Sequence, residues 1–356
     1  MAPVQVIRNV INSHFEEASG CYPDLIATAN SKALSRYRRE LHQRLMANLE
    51  GLLLSGDYAW PLCRQYLETE DINVGEHFVI AFLAFELNDI RYVKSMLEHA
   101  FTDAVFFRAT SDALCWRPWQ KCRFWATQFI RSGEINDQLL GFQAFRYHQQ
   151  QAPLALPALI EHTFNNGKHQ GARNFLLNEV ITPQDIEKDQ AQLTLLGSYI
   201  TDELTPGNFN LLCKYISLGG IEVISQLQPY MFRENINQEN AVAFAFSHIS
   251  EPRTSQWFDL LKGQKNAIRL LLVAIGAMAD EQYLDWVLAQ MDSPEHARLA
   301  GKTFSLLTGI DLNEKGWTLN SAGLDELWLE SDLDDALDWP DKAKIIAGLA
   351  NSRDHR

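Results

Sequence analysis

The first strong pattern of apolar and polar positions along the chain is helical. Between Ser31 and Gly56, large apolar residues recur at steps of three and four, the spacing of one face of an α-helix. They are Leu34, Tyr37, Leu41, Leu45, Leu49 and Leu52. Serine often caps a helix N-terminus, and glycine often follows a helix C-terminus. The pattern therefore predicts one long amphipathic helix over residues 34–52.

A second segment, residues 75–87, is apolar on every side. Its eight consecutive apolar residues, from Phe78 to Phe85, leave no polar face. A helix that is hydrophobic all round is a buried helix. We therefore expect neighbouring elements to cover this helix on at least two faces.

From residue 91 onward the chain consists of short apolar segments with helical periodicity, separated by polar or helix-breaking residues. The predicted helices span 91–100, 118–131, 137–148, 155–164, 170–180, 208–215, 220–228, 238–248, 254–261, 267–279 and 281–290. Candidate helix pairs begin near Asp137, Gly167, Thr205, Asn237 and Gln264, at intervals of roughly 30 residues, which is typical of helical-hairpin repeats. A single pair cannot bury its apolar face, so neighbouring pairs must stack. The sequence predicts an all-α fold, a helical-hairpin solenoid or α-α superhelix.

The last strong helix of this region is predicted to begin at Ser293 and to end at Gly309. Pro294 would be its first residue and Glu295 would lie in its first turn, both favourable positions. We therefore divide the chain into an N-terminal helical region (1–72), helical repeats (73–310) and an acidic C-terminal appendage (311–356) that ends in a short helix. Alternating strand patterns are scarce, which disfavours an α/β enzyme.

Composition and charge narrow the function classes. The 356 residues are 46% apolar, enough for a sizeable core, and the formal net charge is -14. An acidic surface repels phosphate backbones, so nucleic acid is an unfavourable ligand. No apolar run approaches the roughly 20 residues that span a bilayer, so we expect a cytoplasmic protein with no membrane contact. The five cysteines are odd in number and scattered, which favours reduced core thiols over disulfides.

Acidic residues concentrate near the C-terminus, with no lysine or arginine among them. They are Asp325, Glu326, Glu330, Asp332, Asp334, Asp335, Asp338 and Asp341. One interpretation is a solvated, partly flexible tail, because like charges repel one another. The other is a docking strip for a basic partner protein, since complementary fields speed association. The candidate partner-binding residues of that strip are Asp332, Asp334, Asp335 and Asp338.

No motif specifies catalysis, a metal or a cofactor. Gly301-Lys302-Thr303 resembles the end of a phosphate-binding loop, but His296 stands where that loop needs its first glycine. The chain contains no Gly-x-Ser-x-Gly, His-Glu-x-x-His or Cys-x-x-Cys motif, which are the local signatures of acyl transfer, zinc hydrolysis and thiol redox chemistry. We therefore expect a protein without catalytic, metal-binding or cofactor-binding residues.

A cluster of three tryptophans and two arginines lies between residues 115 and 125. Tryptophan and arginine are enriched in binding hot spots. The residues at 119, 122, 126 and 129 recur as one helical face, which favours a core role for most of the aromatic side chains. Trp116 precedes that helix and is the better contact candidate. Trp116, Arg117 and Arg123 are therefore the predicted partner-binding residues of this cluster.

Several segments resemble a bacterial family of HEAT-like repeat proteins of unassigned function, whose genes often accompany type VI secretion effector and adaptor genes. The matching segments are His14-Phe15-Glu16-Glu17-Ala18, Trp60-Pro61-Leu62-Cys63, Gly75-Glu76-His77-Phe78, Cys122-Arg123-Phe124-Trp125-Ala126, the run from Arg298 to Gly309, and Leu337-Asp338-Trp339-Pro340-Asp341. They cover the two ends of the chain and little of its middle. The resemblance implies a HEAT-like fold and a protein partner, and it brings no catalytic residues.

Two function hypotheses follow from the residues and the resemblance. The first is a non-catalytic accessory protein of a type VI secretion locus that binds an effector, toxin or adaptor, as a chaperone or an immunity protein. A chaperone needs exposed apolar area, and an acidic immunity protein would suit a basic toxin. The alternative is a helical-repeat enzyme or a HEAT-type protein that acts on nucleic acid. The alternative predicts a basic groove or a buried cluster of carboxylates.

Overall fold

The computed structural model describes residues 8–28, 35–69, 71–165, 170–250, 252–319 and 334–353. These residues form helices and contain no β-strand, so the predicted all-α class is confirmed. The chain divides into two compact units, an N-terminal unit (Met1–Ile200) and a C-terminal unit (Thr201–Arg356). Within the described ranges, no helix is both long and apolar enough to cross a membrane.

The described helices of the N-terminal unit are α1 (Arg8–Ala27), α2 (Ser35–Leu54), α3 (Trp60–Leu67), α4 (Val74–Leu87), α5 (Ile90–Ala100), α6 (Ala104–Cys115), α7 (Trp119–Ile130), α8 (Ile135–Tyr147), α9 (Leu156–Asn165), α10 (Gln170–Phe175), α11 (Pro183–Lys188) and α12 (Ala191–Gly197). A π-helical segment, Leu176–Val180, continues from α10. Helices adjacent in sequence pack on each other, as α1 does on α2 and α7 on α8, and these pairs pack on further helices. This is the packing expected of a helical-hairpin fold.

Helix α4 lies at the centre of the N-terminal unit. Every residue from 78 to 85 is buried, and α1, α2, α3, α5, α6 and α7 all contact this helix. Tyr22 of α1 stacks on Phe78, with ring centroids 4.0 Å apart. Gly75 approaches α1 so closely that a Cβ atom there would lie 1.9 Å from the Ser19 carbonyl oxygen. The cover expected from the all-apolar pattern is therefore present.

The described helices of the C-terminal unit are α13 (Pro206–Ser217), α14 (Gln228–Phe232), α15 (Gln238–Phe246), α16 (Arg253–Lys262), α17 (Ala267–Met278), α18 (Leu284–Gln290), α19 (Ala297–Thr308) and α20 (Lys342–Arg353). A 3₁₀-helix, Ile221–Leu227, precedes α14. Helix α17 packs on both α15 and α19. Leu272 of α17, Phe304 of α19 and Ile345 of α20 share one apolar core.

The segments 311–319 and 334–353, which we call the C-terminal clasp, pack on this core. An isolated antiparallel bridge joins Thr318 to Pro340. On either side of it, the Leu319 amide donates to the Trp339 carbonyl and the Asp341 amide to the Trp317 carbonyl, both at 2.8 Å. Trp339 is buried, and the Arg298 guanidinium lies 4.2 Å from its ring centroid. The predicted appendage is therefore an integral part of the C-terminal unit in its described residues.

The compact units do not follow the predicted boundaries at residues 72/73 and 310/311. The first boundary would separate α1 from α4, and these helices pack tightly on each other. The second would separate α19 from Leu312 and Ile345, which belong to the same core. The division into compact units depends on packing between residues far apart in the sequence. The local composition of the chain carries no information about that packing.

The described residues contain five helices that the pattern along the sequence did not predict, α1, α3, α6, α11 and α12, and the structure shifts the start of α19. Helix α6 was not predicted, because its buried side includes the polar residues Thr110 and Ser111, which interrupt the apolar periodicity. Helix α19 begins at Ala297 and not at Ser293. The Ser293 carbonyl accepts from the amides of His296 and Ala297, so the predicted first turn is a separate turn. The predicted end at Gly309 is confirmed, with this glycine in the left-handed conformation at φ 69°.

Candidate functional site

The sequence-predicted residues Arg117 and Arg123 line one open cavity of about 610 Å³ in the N-terminal unit. Its walls come from the C-terminal end of α4 and from α7 with the residue that precedes it. Pro118 is the N-cap of α7, and a residue before proline is disfavoured in helical conformation. Arg117 therefore lies in the break between α6 and α7. We call this cavity the cationic pocket.

A buried ion pair forms the inner wall of the cationic pocket. The Arg117 Nε donates to Glu86 Oε1 at 2.8 Å, and the Lys121 Nζ donates to Glu86 Oε2 at 2.9 Å. The Arg117 and Glu86 side chains are only 4% and 10% exposed. Burial alone would raise the pKa of the Glu86 carboxyl, but the hydrogen bonds and charges of Arg117 and Lys121 outweigh it and lower the pKa. Glu86 is therefore a carboxylate at neutral pH.

The rim of the cationic pocket carries excess positive charge. Arg123 is exposed on α7, so the pocket holds three cations, Arg117, Lys121 and Arg123, against the single carboxylate of Glu86. In addition, the Arg117 Nη1 is buried without a hydrogen-bond partner in the described part of the chain. A buried donor left unpaired costs free energy that an acceptor would recover.

A second open cavity, of about 680 Å³, adjoins the cationic pocket. We call it the apolar groove, because the side chains of Ile90, Val93 and Leu97 on α5 face those of Phe124 and Phe129 on α7. Phe124, together with Asn88 and Gln128, lines both cavities. Phe124 is 52% exposed, so a large aromatic side chain stands in solvent between a cationic and an apolar compartment.

The apolar groove also contains an unpaired donor and further cations. Trp125 lies in its wall, and the Trp125 Nε1 is buried without a hydrogen-bond partner among the described residues. Lys94 and Arg131 are exposed at its edge. Asp137 is the carboxyl group in its lining, and burial raises the pKa of that carboxyl. The cationic pocket and the apolar groove together form the binding groove.

Of the tryptophan cluster, the structure exposes a different aromatic residue from the one predicted. Trp116 is half-buried, with its ring centroid 5.1 Å from that of Phe78 and 5.7 Å from that of Tyr22. It therefore packs at the junction of α1, α4 and α6 and is a poor contact residue. The predicted core face is present at Cys122, Ala126 and Phe129, all buried. Phe124 lies about 200° around the helix from both Cys122 and Ala126, on the side opposite the buried face. Helical geometry alone could therefore have predicted that Phe124 is exposed.

The acidic strip has a structural role in its described residues. Asp334 receives two hydrogen bonds from Arg269, both at 2.7 Å, and Arg269 lowers the pKa of that carboxyl. Asp335 pairs with Arg298 at 2.7 Å. Asp338 is exposed and accepts from the Asn313 side chain at 2.6 Å. The solvated-tail interpretation is therefore wrong for Asp334, because it overlooked cations supplied by α17 and α19.

Asp332 lies outside the described residues. Asp334 and Asp335 form ion pairs with arginines of the same unit. This pairing weakens the case for them as a docking strip. Asp335, whose side chain is 70% exposed, and Asp338 are the exposed carboxylates among the three that the structure describes. Arg117 and Arg123 belong to the N-terminal unit and these aspartates to the C-terminal unit.

A second polar cluster lies inside the N-terminal unit, between α1, α6 and the π-helical segment. The Tyr22 hydroxyl donates to Asp112 Oδ2 at 2.8 Å. Arg108 reaches Asp112 at 3.8 Å and Glu179 at 3.3 Å. Burial raises the pKa of the Asp112 carboxyl to about 6, although the Tyr22 hydrogen bond and Arg108 oppose the shift. This carboxyl therefore titrates near pH 6 in the folded protein.

Neither cluster resembles a metal centre. In the ranges that the structure describes, no three side chains of histidine, cysteine, aspartate or glutamate converge in a way that could hold a metal ion. His14 pairs with Asn48 through its Nδ1 at 2.8 Å. The binding groove offers cations, apolar side chains and unpaired donors, which suit recognition of an anionic, apolar ligand.

No protein-family model, no curated protein and no solved structure matches this chain. The binding groove, and the sequence segments that resemble the bacterial family of HEAT-like repeat proteins, are therefore the features that bear on function.

Proposed function

We propose that this chain is a non-catalytic protein-binding protein that holds a partner protein at the binding groove. The observation that carries the proposal is the 52% exposed Phe124, placed between two open cavities of about 610 and 680 Å³. Aromatic and arginine side chains in such surroundings dominate binding energies at protein interfaces. Exposed apolar area beside charged groups is typical of interaction sites on otherwise polar surfaces.

The partner class comes from the resemblance of the sequence segments. We propose a secreted effector, toxin or adaptor of a type VI secretion locus as the partner. Of the two roles, chaperone and immunity protein, the groove supports the chaperone better. A chaperone holds a segment of its client in exposed apolar area, whereas capture of a basic toxin would call for an acidic surface at the contact.

An affinity purification from the native organism, followed by mass spectrometry, tests this proposal. The wild-type protein should retain one partner from the locus, and Phe124→Ala should retain much less of it, because loss of a hot-spot aromatic costs about 2 kcal/mol or about 30-fold in affinity. Tyr58→Ala is the matched control, since Tyr58 is a 69% exposed aromatic residue outside both cavities. Equal recovery of the partner by both variants would show that the groove is not the contact.

A further inference from the structure

We infer that the binding groove takes a peptide segment of the partner in which a carboxylate precedes or follows a large apolar side chain. The carboxylate occupies the cationic pocket at Arg117, Lys121 and Arg123, and the apolar side chain occupies the apolar groove beside Phe124. This inference rests on the proposed function and adds the chemistry of the bound segment.

The local charge supports an acidic segment. The linings of the two cavities contain five cationic side chains, Lys94, Arg117, Lys121, Arg123 and Arg131. They contain two carboxyl groups, those of Glu86 and Asp137, and Glu86 is already paired. The chain as a whole carries a formal charge of -14. A cationic surface on an acidic protein is a local departure from the average field, and it selects for ligands of negative charge.

The cationic lining favours an acidic peptide over a purely apolar ligand. The Arg117 Nη1 belongs to the cationic pocket and the Trp125 Nε1 to the apolar groove, and both are buried without partners in the described structure. A carboxylate draws on the Arg117 charge through the weakly screening protein interior even without touching it. Peptide carbonyl groups supply acceptors along the groove. A purely apolar ligand would make no use of the cations that line the cationic pocket.

Other anionic ligands fit the groove less well. A phosphate dianion in the cationic pocket would lie close to the Glu86 carboxylate, whereas a single carboxylate carries half that charge. A nucleic acid would extend well beyond the groove over an acidic protein, and its binding depends on many phosphate contacts. Neither ligand uses the apolar groove formed by α5 and α7. The observations therefore favour an acidic, apolar peptide.

The geometry of α7 also sets the spacing between the two recognised side chains. Lys121 lines the cationic pocket alone, and Gln128, seven residues later, lies where the cationic pocket meets the apolar groove. Seven residues of α-helix rise about 10 Å. An extended peptide covers that length in about three residues. We therefore expect an acidic residue about three positions from a leucine, methionine or aromatic residue.

Selection from a displayed library of random twelve-residue peptides on the full immobilised chain tests the inference. Wild-type protein should enrich peptides with an excess of aspartate and glutamate at the stated spacing from an apolar residue. The double variant Lys121→Gln with Arg123→Glu should bind the selected peptides at least about tenfold more weakly. Both side chains are exposed, so an unchanged melting temperature will show that the fold is retained. Arg36→Glu, at a 91% exposed arginine of α2, is the control for charge reversal at an exposed arginine outside the groove and should bind as the wild type does.

Three results would overturn the inference. They are enrichment of neutral or basic peptides, equal binding of the selected peptides by the double variant and the wild type, and no enrichment over a blank surface. Failure here is distinguishable from failure of the proposed function. In one combination of results, Phe124→Ala fails to retain the native partner while the library yields no acidic peptide. That combination would support partner binding at the groove and would contradict the acidic chemistry of the bound segment.

Discussion

Replacing Asp112 by asparagine removes a carboxyl whose charged form is destabilised inside the N-terminal unit. Burial is the largest cause of the raised pKa of Asp112, and the charge of Glu179 adds to it. Asparagine has nearly the same shape, and its side-chain oxygen can still accept the hydrogen bond that Tyr22 donates to Asp112 at 2.8 Å. The substitution therefore removes the charge while it preserves the packing.

The magnitude follows from the difference between the two pKa values of Asp112. The folded-state pKa is about 6 and the ordinary value is 3.8. A difference of about two units corresponds to about 3 kcal/mol. Because the folded-state pKa is raised, the folded protein holds the proton more tightly than the unfolded chain does, so stability from this group is lost as the pH rises from about 4 to about 6. The asparagine variant does not suffer that loss.

We expect the free energy of unfolding of Asp112→Asn to exceed that of the wild type by about 3 kcal/mol at pH 7 and by about half of that at pH 5. Urea denaturation of both proteins between pH 4 and pH 8 measures the difference, and all other titrating groups cancel in it. Tryptophan fluorescence reports the unfolding, and Trp116, whose ring centroid lies 5.7 Å from that of Tyr22, is one of the nine tryptophans that contribute to it.

Asp57→Asn is the matched control, because Asp57 is an exposed aspartate of the same unit. It reports the effect of one negative charge fewer on the protein. A difference between Asp112→Asn and the wild type that stays constant from pH 4 to pH 8 would refute the reasoning. The same slope in both asparagine variants would assign the effect to net charge and not to the buried carboxyl.

Three further predictions concern packing, the C-terminal clasp and the cysteines. Gly141→Ala should destabilise the protein by about 1–3 kcal/mol, because the alanine Cβ would lie 2.5 Å from the Ile130 amide nitrogen. Thermal denaturation measures this loss. Gly133→Ala is the control, since a Cβ at Gly133 would have no neighbour within 4 Å. Arg269→Met should lower the free energy of unfolding by up to about 3 kcal/mol, because it leaves the half-buried Asp334 without its arginine partner. It should also speed amide exchange in α20, and unchanged exchange there would contradict a role of this ion pair in holding the C-terminal clasp on the core. Burial raises the pKa of the Cys63 thiol to about 12 and also that of Cys115, so both should react with a thiol reagent only after unfolding, as a spectrophotometric titration with and without urea will show.

The helical pattern along the sequence was sufficient for the elements whose buried face is uniformly apolar. Leu41, Leu45 and Leu49 are buried in α2 as their spacing predicts, while Tyr37 of the same stripe is 44% exposed. Helix α4 was predicted from its apolar run alone. Helix α6 was not predicted, because the polar residues Thr110 and Ser111 are buried in it. The Thr110 hydroxyl lies 2.8 Å from the buried His77 Nε2. A polar pair that is satisfied in the core cannot be told from a surface pair without knowledge of its partner.

The candidate site was predictable only in part, because its contacts join distant parts of the chain. Arg117 and Arg123 were singled out by composition, and both line the cationic pocket. The partner of Arg117 is Glu86, 31 residues earlier, and no local pattern connects the two. The acidic strip shows the same limit, since Asp334 pairs with Arg269, 65 residues earlier. Local sequence reveals which side chains carry charge, and the tertiary fold decides whether that charge is free to meet a partner.

The enclosure of α4 on all sides bears on how the N-terminal unit opens. Amides in a helix at the centre of a unit exchange with solvent only when the whole unit unfolds, whereas peripheral helices also exchange through local openings. Residues 78–85, all buried, should therefore be among the slowest to take up deuterium. A peptide from this stretch would serve as an internal gauge of the unit's global stability, readable by mass spectrometry in a mixture that also contains the partner.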